Sequence, residues 1–209
     1  MSEVYNPLDK INLGKSVADA LLERPAEALA DIAPFEGAGI YVLYYNGPYP
    51  AYAPIAAANA EEPHWPIYIG KAVPSGARKG ASLTASGRGR SLYARLSDHR
   101  DSIVDVERGS ASLAVADFQV RYLIVDDIWI PLGESLLITR FRPVWNIALD
   151  GFGNHDPGKG RHQGQRPLWD HLHEGRGWAV KCAARPEPID AVITRIADYL
   201  TAHPPADEA

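Results

Sequence analysis

The sequence predicts an α/β chain of the α+β kind: a small central β-sheet flanked by helices. Three short segments carry the strand signal, at 38–45, 66–71 and 117–125. Each is rich in β-branched and aromatic residues and is bounded by Gly, Pro or Asp. Segments of helical period lie between and around them, the clearest at 91–106 and 131–141. The chain has 209 residues, enough for one sizeable core with appendages.

The elements follow in order. Residues 7–32 read as helical, with Leu13, Val17, Leu21 and Leu22 at helical spacing and Pro25 starting a second short helix. This arm is expected to pack on the sheet or across a subunit interface. In the first strand, Ile40, Val42 and Tyr44 share one face, and Tyr41, Leu43 and Tyr45 the other. Residues 46–66 are long for a hairpin connection. They read as an insertion with a short helix at 54–60 that either braces the fold or embraces a ligand. The helix at 91–106 starts at Ser91 as cap and buries Leu92, Leu96, Ile103 and Val106. The third strand puts Phe118, Val120, Tyr122 and Ile124 on one face and ends at Asp126 and Asp127, an acidic strand end or a pair of metal ligands. The helix at 131–141 starts at Pro131 and carries Glu134 in its first turn, where the helix dipole alone favours a carboxylate. Asn146 reads as a turn or cap residue. A closing amphipathic helix covers 186–201, ahead of a frayed tail.

Composition narrows the classes. Hydrophobic residues make up 46% and charged residues 22%, an ordinary globular balance. No apolar run approaches the roughly 18 residues of a membrane span, and Met1–Pro7 does not read as a secretory signal. A single cysteine, Cys182, excludes an intrachain disulfide framework and fits a reducing cytoplasm. Five groups, His155, His162, His171, His173 and Cys182, raise the question of zinc, but none has the usual ligand spacing. The net charge of −5 is unevenly spread: residues 63–185 carry 17 basic and 12 acidic side chains. Between Pro63 and Ser97 there are six Lys or Arg and no acid, a local positive field suited to a polyanion.

Two Gly-rich basic loops fall in that region. The first, 72–90, holds Arg78, Lys79, Arg88 and Arg90, and its amides and guanidinium groups suit phosphate oxygens. It is expected to be mobile without DNA. It is not a nucleotide-binding loop, because Gly70-Lys71 is followed by Ala72 and Trp65 stands where a glycine is required. The second, 151–167, holds Lys159, Arg161 and Arg166 with Gln163 and Gln165, side chains able to read base edges.

Any single tyrosine here reads as a structural residue with a wet hydroxyl. The pair of tripeptides Gly39-Ile40-Tyr41 and Tyr68-Ile69-Gly70, followed in order by Arg95, His99, Glu134 and Asn146, resembles the GIY-YIG nuclease superfamily. The resemblance covers about residues 37–150 and implies a mostly antiparallel sheet as the nuclease core of a single domain. Residues 1–36 then form an N-terminal helical arm, and 151–209 a C-terminal extension. It implies phosphodiester hydrolysis, with Tyr41 near the attacking water, Arg95 on the phosphate and Glu134 on one metal ion.

The residue chemistry is compatible with this division. Glu134 is a hard ligand for Mg²⁺, with Mn²⁺ able to substitute. Arg95 offers planar donors to phosphoryl oxygens. Tyr41 needs help to lose a proton at neutral pH, from His99 as acceptor or Lys71 as a neighbouring cation. Tyr68 positions water or phosphate, and Asn146 braces the site.

The pattern is most similar to the type II restriction endonucleases of this superfamily that cut CCGCGG. That implies double-stranded DNA as partner, a homodimer matching a palindrome, and a bacterial cytoplasmic setting. Two other readings stay open: a structure-specific repair or mobile-element nuclease, and a DNA-binding protein that has lost turnover.

Overall fold

The computed structural model of the protein describes residue 6, residues 8–74 and residues 89–205. Arg78, Lys79, Arg88 and most of the first basic loop lie outside the described residues. Four strands form one antiparallel sheet: β1 (Glu27–Ala28), β2 (Gly39–Tyr45), β3 (Pro66–Ala72) and β4 (Phe118–Ile124), in the order β1-β4-β2-β3. Central β2 is buried along its whole length, which explains why both of its faces are apolar or aromatic.

Helices cover both faces. α1 (Lys10–Leu22) and α4 (Ile130–Phe141) lie on the side of Ile40, Val42 and Tyr44, where Ala18, Leu21, Ile130 and Leu137 join them in one core. Gly14 of α1 faces Leu132 and Leu136, and Gly133 of α4 faces Val17, so small residues let these two helices approach closely. The arm therefore packs on α4 and the sheet. α3 (Ser91–Arg108) takes the opposite face, burying Leu92, Leu96, His99, Ile103 and Val106 along one stripe beneath Tyr41, Leu43 and Tyr45.

Three local expectations are corrected. Pro25 does not open a second helix. The chain runs extended there, and β1 pairs Glu27 with Val120 and Ala28 with Gln119 before a 3-10 turn at Leu29–Asp31. The open edge of β4 needs hydrogen-bond partners, and that need outweighs the local helical pattern. Ser91 is not the cap of α3. Arg90 holds that position without a side-chain bond, and the Leu92 amide instead donates to the Gly37 carbonyl at 3.0 Å. Glu134 stands one turn into α4, because the helix already begins at Ile130. Dipole attraction is therefore a weaker reason for its presence.

The insertion folds inward. A 3-10 turn at Pro50–Tyr52 leads into α2 (Ala53–Ala58), and Tyr52 and Ile55 are fully buried. Asn59 donates to the Tyr45 and Trp65 carbonyls and accepts from the His64 and Trp65 amides at 2.8–3.0 Å. That satisfies a polar side chain which burial would otherwise penalise. On the other face, Arg121 of β4 is nearly buried and donates to Tyr44 Oη at 3.1 Å and to the Pro63 carbonyl at 2.6 Å.

The remaining helices, α5 (Val144–Ile147), α6 (Leu168–Leu172) and α7 (Ile189–Ala202), add Trp145, Trp169, Val192, Ile196 and Leu200 to the α3-side core. Beside them, fully buried His173 joins Tyr52 Oη at 2.7 Å and Ser112 Oγ at 2.9 Å. Burial pushes His173 down to about 3. It also holds His99 well below its ordinary value of 6.5, with Arg95 adding to the effect.

Both histidines are neutral in the fold and take up a proton when unfolded below about pH 6.5. The unfolded chain then binds more protons, so stability is fully present above that pH and falls as pH drops below it. Urea unfolding at about pH 7.5 and about pH 5.5 should show this loss, about 1.4 kcal/mol in all for each histidine. His173→Asn should reduce the slope. An unchanged stability across this window would contradict the burial of both rings.

Candidate active site

The two motif glycines are set by close approach. Gly39 lies so near the β4 backbone that a Cβ would meet the Leu123 carbonyl at 1.9 Å. Gly70 sits opposite Tyr41 across the β2–β3 ladder, and a Cβ there would meet Tyr41 Oη at 2.3 Å. The phenol leans over that empty position. Tyr68 pairs with Leu43 on the same face of the sheet.

Tyr41 is fully buried, and its hydroxyl meets His99 Nε2 at 2.5 Å. Burial pushes the Tyr41 phenol well up, with Arg95 the main opposing charge. Tyr68 is partly exposed and is raised for the same leading reason, burial, again with Arg95 opposing. Because His99 is neutral, its Nε2 can accept from the Tyr41 hydroxyl. Arg95 stands one turn before His99 on α3, and both side chains reach the Tyr41 phenol, as i, i+4 spacing allows.

Glu134 and Lys71 meet at the outer edge of the sheet, Oε2 to Nζ 2.6 Å. Lys71 pairs with Ile40 and so projects to the α4 side of β3. The Glu134 charge is felt at the Tyr68 phenol, which it raises. The polar groups thus wrap around edge strand β3 and do not all share one face.

Asn146, within α5, binds that edge. Its Oδ1 accepts from the Ile69 amide and its Nδ2 donates to the Ile69 carbonyl, both at 2.8 Å. A carboxamide has the donor and acceptor of a peptide, so Asn146 stands in for one residue of a missing neighbouring strand. It is not the turn or cap residue that local sequence suggests. Its bond fixes the backbone between Tyr68 and Gly70.

Three further side chains or backbone groups belong to the site. The Phe152 ring stacks on His99 at 4.4 Å and meets Tyr68 edge-on at 5.0 Å. The Gly153 carbonyl accepts from Arg95 Nη2 at 2.7 Å, and a Cβ on Gly153 would meet Tyr68 Oη at 2.6 Å. His155 Nε2 bonds Arg95 Nη1. The Gly-Phe-Gly string at 151–153 was the available sequence signal, since neighbouring glycines mark close backbone approach. Of the expected DNA contacts, Arg90 and Arg161 are exposed. Arg166 is engaged internally, by Glu174 Oε1 at 2.7 Å and the Ala179 carbonyl at 3.2 Å.

A small antiparallel sheet carrying these tyrosines against a helical Arg–His pair defines a GIY-YIG nuclease. Within that class, the family model described as the Eco29kI GIY-YIG domain matches residues 33–200, and the chain belongs to this family. No curated protein matches the chain. Among the described residues no helix is long and apolar enough to cross a membrane.

Asn146→Leu should leave the Ile69 amide and carbonyl without their partner and cost about 2 kcal/mol in urea unfolding. A change below roughly 0.5 kcal/mol would mean that water satisfies this edge equally well.

Proposed function

We propose that the chain is a type II restriction endonuclease that cuts both strands of the palindrome CCGCGG in a Mg²⁺-dependent reaction, acting as a homodimer. The observation that carries this reading is the family match over residues 33–200. Eco29kI, for which the family is named, is a type II restriction endonuclease that cuts CCGCGG. A palindrome and one site per chain favour a two-fold dimer, one protomer per strand.

GIY-YIG restriction nucleases usually use a divalent metal. A single carboxylate is compatible with one such ion. Glu134 offers one hard carboxylate at the site edge, paired with Lys71, and no group of three or more His, Cys, Asp or Glu converges among the described residues, so an ion would rest on Glu134 alone among the protein's side chains. One carboxylate completed by water and phosphate is an ordinary magnesium environment. When bound, the ion would stabilise charge on the scissile phosphate and the leaving 3′-oxygen.

The chain's own residues supply the rest. Arg95 donates to the phosphoryl oxygens while its Nη2 stays on the Gly153 carbonyl. Tyr41 takes a proton from water as its own hydroxyl proton passes to His99 Nε2, which becomes imidazolium. The phosphate's negative charge beside Arg95 opposes the effects that hold His99 low. Tyr41 is enclosed, so water reaches it past the partly exposed rim of Tyr68, Gly153 and Arg95. Lys71 keeps Glu134 oriented, and Arg90, Arg161, Lys159 and the first basic loop, with Arg78, Lys79 and Arg88, contact DNA.

Incubation with a long duplex of known sequence, with Mg²⁺ or with EDTA, tests this directly. Discrete Mg²⁺-dependent double-strand ends at CCGCGG are expected. Cutting confined to forks or flaps would support a repair nuclease, and tight binding without cutting a protein that has lost turnover. Glu134→Gln should abolish cleavage and keep binding. Arg95→Ala should lower turnover by about 10²–10³-fold with a much smaller change in affinity.

A further inference from the structure

Arg176 lies outside the chemistry just described, in the C-terminal part of the chain. Its side chain is 3% exposed and that of its partner Asp170 1% exposed. Nε donates to Asp170 Oδ1 at 2.6 Å, and Nη2 also bonds Asp170 Oδ2. The guanidinium is sandwiched near the Trp169 and Trp178 rings, 4.7 and 4.8 Å from their centroids.

Its remaining donors all go to one segment. Nη2 reaches the Gly151 carbonyl at 2.9 Å, and Nη1 reaches those of Phe152 and Asn154 at 2.9 and 3.0 Å. The carbonyl between these, Gly153, is the one that holds Arg95. Two arginines therefore divide four consecutive carbonyls. The same segment stacks Phe152 on His99 and crosses the Tyr68 hydroxyl at Gly153.

We infer that Arg176, oriented by Asp170, is a positioning residue for cleavage: it fixes the 151–154 strap that seats Arg95 and His99. This rests on the assignment of those two side chains to the chemistry. A buried ion pair alone is weak evidence for stability. Here the planar fork does something a simple pair does not, because it ties three backbone carbonyls to a single rigid group. Lysine has three donors on one nitrogen and cannot span them.

The test compares single-turnover cleavage, DNA affinity in EDTA and urea unfolding for Arg176→Lys, Gly153→Ala and Arg95→Ala. Gly153→Ala leaves the Arg176–Asp170 pair intact but places a Cβ 2.6 Å from Tyr68 Oη and 3.1 Å from Arg95 Nη2. It therefore shifts the strap against the site even if Arg176→Lys fails to fold. Both strap variants should cleave about 100-fold more slowly, the scale of a small misplacement at a reacting centre, with affinity nearly unchanged. If Arg95→Ala is inactive and the folded strap variants cleave at the wild-type rate, the positioning role is overturned. Rate and affinity falling together would also overturn it, in favour of a DNA contact. If Arg95→Ala cleaves normally, the assignment beneath it fails as well.

Discussion

A phenol buried in the middle of a small sheet must find a partner for its hydroxyl, and the Tyr41–His99 hydrogen bond is that partner. Much of the local design follows from it. Gly70 is a glycine because the phenol lies across it. α3 presents His99 within an otherwise apolar stripe, at a position where a core helix would ordinarily carry an aliphatic residue. The imidazole is kept neutral by burial and by Arg95, and only the neutral ring can accept from the phenol. The residue that satisfies the buried hydroxyl is thus the same one that the proposed chemistry uses as proton acceptor.

Edge strand β3 is the second organising element. It carries Tyr68 and Gly70 toward α3 and Lys71 toward α4, so groups from both layers meet around it. An edge strand is the least constrained part of a sheet, with one row of backbone groups unpaired. Asn146 binds it on its open side at Ile69, and the 151–154 strap crosses its Tyr68. Both restraints come from segments after α4, and the family match extends through them to residue 200.

How far this was legible differs by element. β2, β3, β4, α3 and α4 have strong local patterns, and their positions follow the sequence closely. The two-residue β1 has no pattern of its own and exists only because β4 has an open edge. Tyr41, Tyr68, Arg95 and His99 could be named from the motif, and the fold brings them together. Asn146 could be named but not explained, since its partner lies 77 residues away. The second glycine-rich loop reads locally as a nucleic-acid contact, yet its first residues line the site and Arg166 is tied to Glu174. Arg176, between two glycines, carries no local signal at all. Its role comes wholly from tertiary contacts, which no spacing rule records.

The most direct test of the central claim is the single-turnover cleavage rate of Tyr41→Phe, measured beside its affinity for the same duplex. Phenylalanine keeps the ring over Gly70 and removes only the hydroxyl. If the Tyr41–His99 pair carries the proton from water, the rate should fall by about 10²–10⁴-fold while binding stays intact. A rate close to wild type would make the buried hydrogen bond a packing device and move the proton elsewhere.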